Sequence, residues 1–395
     1  MKVVITSFTY FPNLDGVAEA TRFLAESLVE SGHHVVVFTS SISAQAKEFA
    51  HRGVNIRQYR LANCLIPETI GSLEEIERFR MDLHVEKPEL LICACWDAWT
   101  TTLVQHLKED ISCPSIMVSH GFTSHLRPRN APAPFFGWGQ WWRGMIWTAL
   151  CIPKLINSFD RFVFLASHKD TERFIDHAVM SLLDPDAVRI IPNSPNLDQL
   201  TDSRNDFRNR HGIGAGPMIL CVANFSARKN QELAVSSFFE AGIPGSTLVC
   251  IGSEQNDYFN QLESLVKALQ PSHPEQKVLL LNGISRCEIM MAYATSNITL
   301  LTATEETQPI VLIESMAFSK PWIATNSGCI ADMEGGIPVC RQEEITHSLR
   351  HLMFHVDDAE RLGAHGRKAY DAKYEPRVVK RKWMQLIAEL SPEIS

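Results

Sequence analysis

The stretch "ITLLTATEETQPIVLIESMAFSKPWIATNS", residues 298–327, contains the repeating unit from which the fold is predicted. Its first segment, "ITLLTAT", is apolar and β-branched, which is typical of a buried strand. The next segment, "PIVLIESMAFS", has helical periodicity and begins with Pro309, which suits the first position of a helix. "PWIATNS" then predicts another strand. A strand, a helix and a strand in this order predict two parallel strands connected by a helix.

The same alternation runs through both halves of the chain, with an interruption at "IIPNSPNLDQL", residues 190–200. The sequence therefore predicts an α/β protein with two Rossmann-like, doubly wound domains that face each other across a cleft. We expect the domains to span 1–192 and 193–375, followed by a basic amphipathic helix within 376–395 that packs back on the first domain. The other predicted strands are 2–8, 33–40, 90–96, 115–121, 161–167, 218–225, 246–253 and 277–283.

The composition indicates a globular protein, because 45% of its 395 residues are hydrophobic and 21% are charged. A formal charge of −8 argues against general nucleic-acid binding, which needs a basic surface to neutralise phosphates. Ten cysteines are scattered without zinc-site spacing, which favours reduced thiols. There is no uncharged run of 18 residues that would span a membrane. These features predict a cytoplasmic protein.

Two carboxylates flank the predicted helix of the opening stretch. Glu306 lies in the turn after the strand, and Glu314 lies just over one turn inside the helix. The N-terminus of a helix attracts anions, and carboxylates beside it can accept hydrogen bonds from hydroxyl groups. The pair would suit a ligand that carries both phosphate and hydroxyl groups, such as a nucleotide sugar. The alternative is that Glu306 is solvated and Glu314 is an ordinary residue of the helix surface.

The neighbours of this pair resemble a motif of the retaining glycosyltransferases of family 4, which have the two-domain GT-B fold. In that family an acidic residue and, after seven intervening positions, a Glu follow a strand and precede "AMA-x-G-x-P". Here Glu306 and Glu314 are followed by "SMAFSKPWIATNSG". The resemblance implies that Glu306 contacts the hydroxyls of the donor sugar and Glu314 the ribose. It also places Gln308, Pro309 and Ile310 in the donor site, with "QP" where the family has "FG".

A second segment, "VANFSARKNQELAVSSF" at residues 222–238, resembles the family's "VGR…KG" loop. The resemblance implies that Lys229 binds the donor diphosphate, with Arg228 as a second cation. The family's arginine is replaced by Asn224, which removes a positive charge. No cluster of metal ligands is visible, so we expect neither a metal nor another cofactor. Taken alone, Arg228 and Lys229 would be ordinary solvated charges.

The first domain carries weaker parts of the resemblance. "FPNLDG" looks like the family's "P-x-x-G-G" loop, in which Gly16 would let backbone N–H groups approach the diphosphate or acceptor. Only one glycine is kept, because Asp15 occupies the other position. "IIPNSPN" resembles the "IPNGVD" segment that joins the domains, with Ser194 in place of glycine.

His120 follows the predicted strand "SIMVSHG", and in the family a histidine near this position lies between the acceptor and the donor sugar. The resemblance makes His120 the candidate catalytic histidine, while a structural hydrogen bond is the alternative. His125 and Asp97 are weaker candidates for the same region, since Asp97 could instead cap a helix.

Residues 127–155 form an aromatic and basic segment, "RPRNAPAPFFGWGQWWRGMIWTALCIPKL". Rings and cations together suit the headgroup level of a membrane. The segment would then make a peripheral contact with the inner face of the membrane and favour a lipid-linked acceptor. The alternative, which we favour slightly, is a helix and loop packed in the first domain.

The sequence as a whole predicts a retaining glycosyltransferase that uses a nucleotide-diphosphate sugar, with UDP favoured over GDP. A saccharide, a lipid-linked molecule or a small molecule would accept the sugar. Catalysis would rest on positioning and on stabilising the departing diphosphate. The alternatives are a non-catalytic nucleotide-binding or scaffolding protein on the same fold, and a nucleotide-sugar epimerase. The departures at Asp15, Ser194 and Asn224 favour the scaffold among these alternatives.

Overall fold

The protein is described by a computed structural model that divides into two compact units. The first unit comprises Met1–Asn193 with Val379–Ser395, and the second comprises Ser194–Val378. The structure describes residues 1–13, 15–41, 47–62, 70–96, 98–107, 110–121, 152–167, 170, 174–197 and 206–390.

The first unit contains an eight-stranded sheet in the order β3-β4-β2-β1-β5-β6-β7-β8. All neighbouring strands are parallel except β3 and β4. The central strands are continuously apolar because side chains of both faces are buried, as is typical of a parallel sheet. The strands are β1 (Lys2–Ser7), β2 (His34–Ser40), β3 (Glu48–His51), β4 (Val54–Tyr59), β5 (Leu90–Ala94), β6 (Ser115–Ser119), β7 (Arg161–Phe164) and β8 (Val188–Ile190).

Helices cover both faces of this sheet, and successive residues of each strand contribute to opposite cores. Val4 belongs to one hydrophobic cluster, whereas Val3 and Ile5 belong to the other. The helices of this unit that precede its last strand include α1 (Gly16–Glu30), α2 (Leu73–Glu86), α3 (Trp99–His106) and α4 (Asp176–Met180).

The second unit contains a six-stranded, fully parallel sheet in the order β11-β10-β9-β12-β13-β14. Its strands are β9 (Met218–Val222), β10 (Thr247–Gly252), β11 (Lys277–Asn282), β12 (Ile298–Leu301), β13 (Trp322–Thr325) and β14 (Gly336–Val339). Its helices are α5 (Asp206–Arg210), α6 (Gln231–Ala241), α7 (Asp257–Leu269), α8 (Arg286–Thr295), α9 (Ile310–Ala317), α10 (Gln342–Phe354) and α11 (Val356–Ala369).

The last helix, α12 (Pro376–Leu390), belongs to the first unit from Val379 onward. Its apolar face, which includes Trp383 and Ile387, packs in the same cluster as Leu28 of α1. Its polar side is held by ion pairs of Lys380 with Glu30, at 2.9 Å, and of Arg189 with Glu389, at 2.6 Å.

The α/β prediction is confirmed, and the predicted strands form, although most end a few residues earlier than expected. Four strands were not predicted: β3, β4, β8 and β14. Three of them, β3, β8 and β14, lie at the edge of a sheet. One side of an edge strand has no neighbouring strand, so a continuous apolar run is not required. β14 contains Pro338, which an edge strand tolerates because one of its N–H rows pairs with nothing in the sheet.

Candidate functional site

The second sheet reverses its direction of growth between β9 and β12. The chain adds β10 and β11 on one side of β9, and then β12, β13 and β14 on the other. Loops that leave the carboxyl ends of β9 and β12 therefore diverge to opposite faces. In doubly wound sheets this switch point is where ligands bind.

The residues predicted for the donor site meet at this switch point. Lys229 lies in the loop after β9, and Glu306 lies in the loop after β12. The Lys229 Nζ donates to Glu306 Oε1 in an ion pair whose side chains are only 17% and 11% exposed, respectively. Glu306 is thus not the solvated carboxylate of the alternative interpretation. The half-buried ammonium of Lys229 thus contacts the carboxylate of Glu306 at the switch point of the sheet, where ligands bind in folds of this type.

Backbone and hydroxyl contacts tie these two loops together. The Thr304 N–H and hydroxyl both donate to the carbonyl of Arg228, at 2.8 and 3.1 Å. The Thr302 hydroxyl donates to the carbonyl of Asn230, at 2.8 Å. Because these contacts hold the residues on both sides of Lys229, the ammonium group approaches Glu306 from a fixed backbone.

The loop after β13 is hydrogen-bonded to the backbone of Glu306. The Glu306 N–H donates to the Ser327 hydroxyl at 2.7 Å, and this hydroxyl donates to the Glu306 carbonyl at 2.8 Å. Gly328 follows with a φ of +56°, and a Cβ placed there would lie 2.2 Å from the Glu306 carbonyl oxygen and 2.4 Å from that of Thr307. Only glycine fits this position, since both the backbone conformation and the space exclude a side chain.

Glu314 is the fifth residue of α9 and is 1% exposed. Its Oε1 accepts from the guanidinium of Arg286, the first residue of α8. The nearby Tyr293 is buried as well, and burial first and the negative charge of Glu314 second raise the pKa of its hydroxyl. The alternative that Glu314 is a residue of the helix surface is therefore wrong.

Arg286 belongs to this site and was not found from the sequence. A signal for its placement was present, because Ser285 and Glu288 form a capping box that predicts a helix start there. In the structure the Glu288 N–H donates to the Ser285 hydroxyl at 3.2 Å, and the Ser285 N–H to Glu288 at 3.3 Å. This start places Arg286 just beyond the carboxyl end of β11, where it reaches Glu314.

The other two donor residues predicted in the loop after β9 lie on its outer side. Asn224 and Arg228 are both exposed. The Arg228 guanidinium donates to the carbonyl of Glu305 at 3.4 Å, so it lies against the loop after β12. Lys229 is therefore the inner cation of this loop, and Arg228 the outer one.

Gln308, Pro309 and Ile310 follow Glu306 and lead into α9. Gln308 and Pro309 are buried. Gln308 hydrogen bonds with Cys329, where burial raises the pKa of the thiol to about 12 and the bond opposes part of that shift. Pro309 is the N-cap of α9 rather than its first residue, one position earlier than predicted.

The first unit places Asp15 and Gly16 at the start of α1. The Asp15 carboxylate accepts from the N–H groups of Val17 and Ala18, both at 3.0 Å. These two helix N–H groups are thus already bonded to Asp15. A Cβ on Gly16 would meet nothing within 4 Å. A role for Gly16 in binding stays a prediction that would use its own N–H group.

His120 directly follows β6 and is half-buried. Burial lowers the pKa of His120 to about 4, and the negative charge of Asp15 opposes part of this shift. The imidazole is therefore neutral at pH 7. Asp97, His125 and residues 127–151 lie outside the described residues. At the end of that aromatic and basic segment, Ile152 and Leu155 are buried in the core of the first unit.

Neither a metal cluster nor a spanning helix appears in the part of the chain that the structure describes. In those ranges no three His, Cys, Asp or Glu side chains are arranged to hold a metal ion. None of the helices there is long and apolar enough to cross a membrane. The cysteines in the described ranges are in the reduced, thiol form: Cys93, Cys95, Cys113, Cys221, Cys250, Cys287, Cys329 and Cys340.

Comparison with known families matches both halves of the chain. Residues 15–194 match the model "Glycosyl transferase 4-like domain", and residues 203–336 match "Glycosyl transferases group 1". The chain is a family 4-like glycosyltransferase. No curated protein sequence matches this glycosyltransferase.

Solved structures place this glycosyltransferase in the GT-B fold. Sucrose-phosphate synthase from Thermosynechococcus elongatus is 18% identical, with a TM-score of 0.77 and 99% of each chain covered. HepE from Anabaena in complex with UDP-glucose is 12% identical, with a TM-score of 0.72, covering 98% of this chain and 100% of its own. WaaG, a glycosyltransferase involved in lipopolysaccharide biosynthesis, is 16% identical, with a TM-score of 0.68 over 96% and 98%.

The contact of Gly328 with the Glu306 loop generates a prediction. We expect Gly328→Ala to lower glycosyltransferase activity, because the methyl group would push the Glu306 and Thr307 carbonyls away. The matched control is Gly242→Ala. Gly242 also has a positive φ, of +61°, but a Cβ added there would lie 3.8 Å from its nearest neighbour, the Glu240 carbonyl oxygen. Each variant should lose about 1 kcal/mol of stability or more from its backbone. Denaturation and turnover are measured together, and equal activity of the two variants would contradict the prediction.

Proposed function

We propose that this glycosyltransferase transfers a sugar from a nucleotide-diphosphate sugar, with UDP favoured over GDP, and retains the anomeric configuration. The acceptor is a saccharide, a lipid-linked molecule or a small molecule. The observation that carries the proposal is the Lys229–Glu306 ion pair at the switch point of the second sheet. It brings a cation for a diphosphate and a carboxylate for sugar hydroxyls into contact.

Lys229 is assigned to the leaving nucleotide diphosphate. As the bond from the anomeric carbon to the diphosphate oxygen breaks, negative charge grows on the diphosphate, and a fixed ammonium stabilises it. The exposed Arg228 next to it supplies a second positive charge at the rim of the loop. With these cations the donor site is proposed to work without a metal or another cofactor.

Glu306 is assigned to the donor sugar. Its Oε1 is occupied by Lys229, and its backbone is held by Ser327 from both the N–H and the carbonyl. A carboxylate fixed in this way can accept hydrogen bonds from two sugar hydroxyls and orient the anomeric carbon. When the diphosphate draws the Lys229 ammonium toward itself, Glu306 Oε1 becomes able to accept hydrogen bonds from sugar hydroxyls.

Glu314 is assigned to the ribose of the nucleotide. It is an anion held in the interior by Arg286, and a buried carboxylate is stable only when it is paired and hydrogen-bonded. Its Oε2 makes no hydrogen bond with the described residues. Ribose hydroxyls would supply donors to this oxygen.

The transfer step needs no enzymic nucleophile. The acceptor hydroxyl attacks the anomeric carbon on the face from which the diphosphate departs, and its proton passes to a diphosphate oxygen. The new glycosidic bond forms as the old bond breaks, so the configuration is retained. His120, neutral at pH 7, is assigned to hold the acceptor and the donor sugar by hydrogen bonds. Peripheral membrane contact within residues 127–155, and with it a lipid-linked acceptor, is the less favoured alternative, because Ile152 and Leu155 at the end of this segment are buried in the core of the first unit.

The first test is a calorimetric titration with UDP, GDP and ADP. We expect UDP to bind most tightly, and Glu314→Gln to weaken the binding about tenfold, because a neutral amide accepts more weakly from ribose hydroxyls. The control is Glu263→Gln, an exposed carboxylate of α7 that pairs with Lys267. Absence of binding by the folded wild-type protein would favour the non-catalytic scaffold instead.

Lys229 should be needed for binding as well as for turnover. We expect Lys229→Ala to weaken UDP binding roughly 10- to 100-fold, since a hydrogen bond to a charged group contributes about 1.5–3 kcal/mol. Sugar transfer should fall at least as far. The matched control is Lys267→Ala, since the side chain of Lys267 is 70% exposed on α7. Near-normal UDP affinity of the Lys229 variant would refute its assignment.

Glu306 should be needed for turnover but not for UDP binding. We expect Glu306→Gln to reduce turnover about 100-fold while UDP binds as well as before or more tightly, because Lys229 loses its competing carboxylate. Titration with UDP and initial rates with UDP-glucose separate the two effects. Nuclear magnetic resonance of the wild-type product reads the anomeric configuration, and inversion would contradict the proposed mechanism. Unchanged turnover of Glu306→Gln would exclude the role of this residue.

A further inference from the structure

A buried carboxylate in the first unit lies behind the turn that carries His120. Asp176 is the first residue of α4 and is 2% exposed. The Ser119 hydroxyl donates to its Oδ1. A carboxylate is costly to remove from water unless hydrogen bonds compensate it. The burial of Asp176 therefore depends in part on this hydroxyl.

The same hydroxyl also reaches the other side of His120. The N–H of Gly121 donates to Ser119 Oγ at 3.2 Å. Gly121 has a φ of +104°, so the backbone turns sharply there. Ser119 thus links a buried carboxylate to the residue after His120, and the turn is held on both sides of the imidazole.

We infer that Asp176 is a positioning residue for His120 and acts through the Ser119 hydroxyl. This inference rests on the proposed function, in which His120 holds the acceptor and the donor sugar. Asp176 orients the hydroxyl, the hydroxyl holds the Gly121 amide, and the turn keeps the imidazole half-buried. Without this chain of hydrogen bonds the turn relaxes, and the imidazole moves toward solvent. Misplacement of a positioning group by about 1 Å can cost roughly 100-fold in rate.

The chain offers a matched control on the same strand. Ser115, at the opposite end of β6, donates to Asp160 Oδ2 at 2.8 Å and is also fully buried. Ser115→Ala and Ser119→Ala each remove one buried hydroxyl from a serine–aspartate pair. Only the second pair touches the turn with His120. Asp160 is exposed whereas Asp176 is buried, so the stability of both variants is measured by denaturation. Loss of positioning affects Ser119→Ala alone.

The first readout is the titration of His120 in nuclear magnetic resonance, with His120→Gln to assign the signal. We expect the wild-type pKa near 4 to rise toward 6.5 in Ser119→Ala, because the ring becomes more solvated. Asp176→Asn keeps an acceptor oxygen and should give a smaller rise. Ser115→Ala should leave the titration unchanged. The inference is overturned if Ser119→Ala titrates like the wild type, or if Ser115→Ala shifts His120 as much.

The second readout is the steady-state release of UDP from UDP-glucose, with glucose as the probe acceptor. We expect Ser119→Ala to lower kcat about tenfold while KM for the donor stays within about twofold, since the donor site in the second unit is untouched. Asp176→Asn should retain more activity than Ser119→Ala, and Ser115→Ala should retain full activity. An unchanged kcat in Ser119→Ala would overturn the inference.

The two readouts separate this inference from the proposed function. If His120→Gln transfers sugar at the wild-type rate, the role of His120 in the proposed function is refuted. The titration then still decides whether Asp176 positions the ring, because it needs no substrate.

Discussion

The hydroxyls of Thr302 and Thr304 tie the loop after β12 to the loop after β9, and the contact of Lys229 with Glu306 depends on this connection. At a switch point the two loops diverge, so nothing in the sheet itself keeps their tips together. The threonine hydroxyls solve this by donating to the carbonyls of Arg228 and Asn230. The hydrogen bonds that satisfy the backbone therefore also bring Lys229 to Glu306.

The connection continues to the next strand. The Thr325 hydroxyl donates to the carbonyl of Ala303, and Ser327 holds both backbone groups of Glu306. Three successive loops are thus joined at the carboxyl edge of one sheet. Gly328 lets the third loop approach closely enough for these bonds to form. In this way short polar side chains connect loops that have no regular structure.

Charge burial is handled differently at the two carboxylates. Glu306 and Lys229 keep some exposure, so a ligand can replace one partner at modest cost. Glu314 is 1% exposed, and loss of Arg286 would leave a buried charge unpaired, at a cost of about 3–5 kcal/mol. Arg286 therefore holds Glu314 in a site that would otherwise exclude an anion. Asp176 in the first unit meets the same constraint through a serine hydroxyl.

The α/β class, most of the inner strands and the positions of Glu306 and Lys229 after strands could be predicted from the sequence, because hydrophobic periodicity and loop position are local properties. Which side chains contact each other could not be predicted in this way. Arg286 is 28 residues from Glu314, and Ser119 is 57 residues from Asp176. Both contacts depend on the order of the strands in the sheet, and the hydrophobic periodicity of the sequence does not give that order. Three of the four edge strands, β3, β8 and β14, also needed the folded sheet, since their burial comes from one neighbour rather than two.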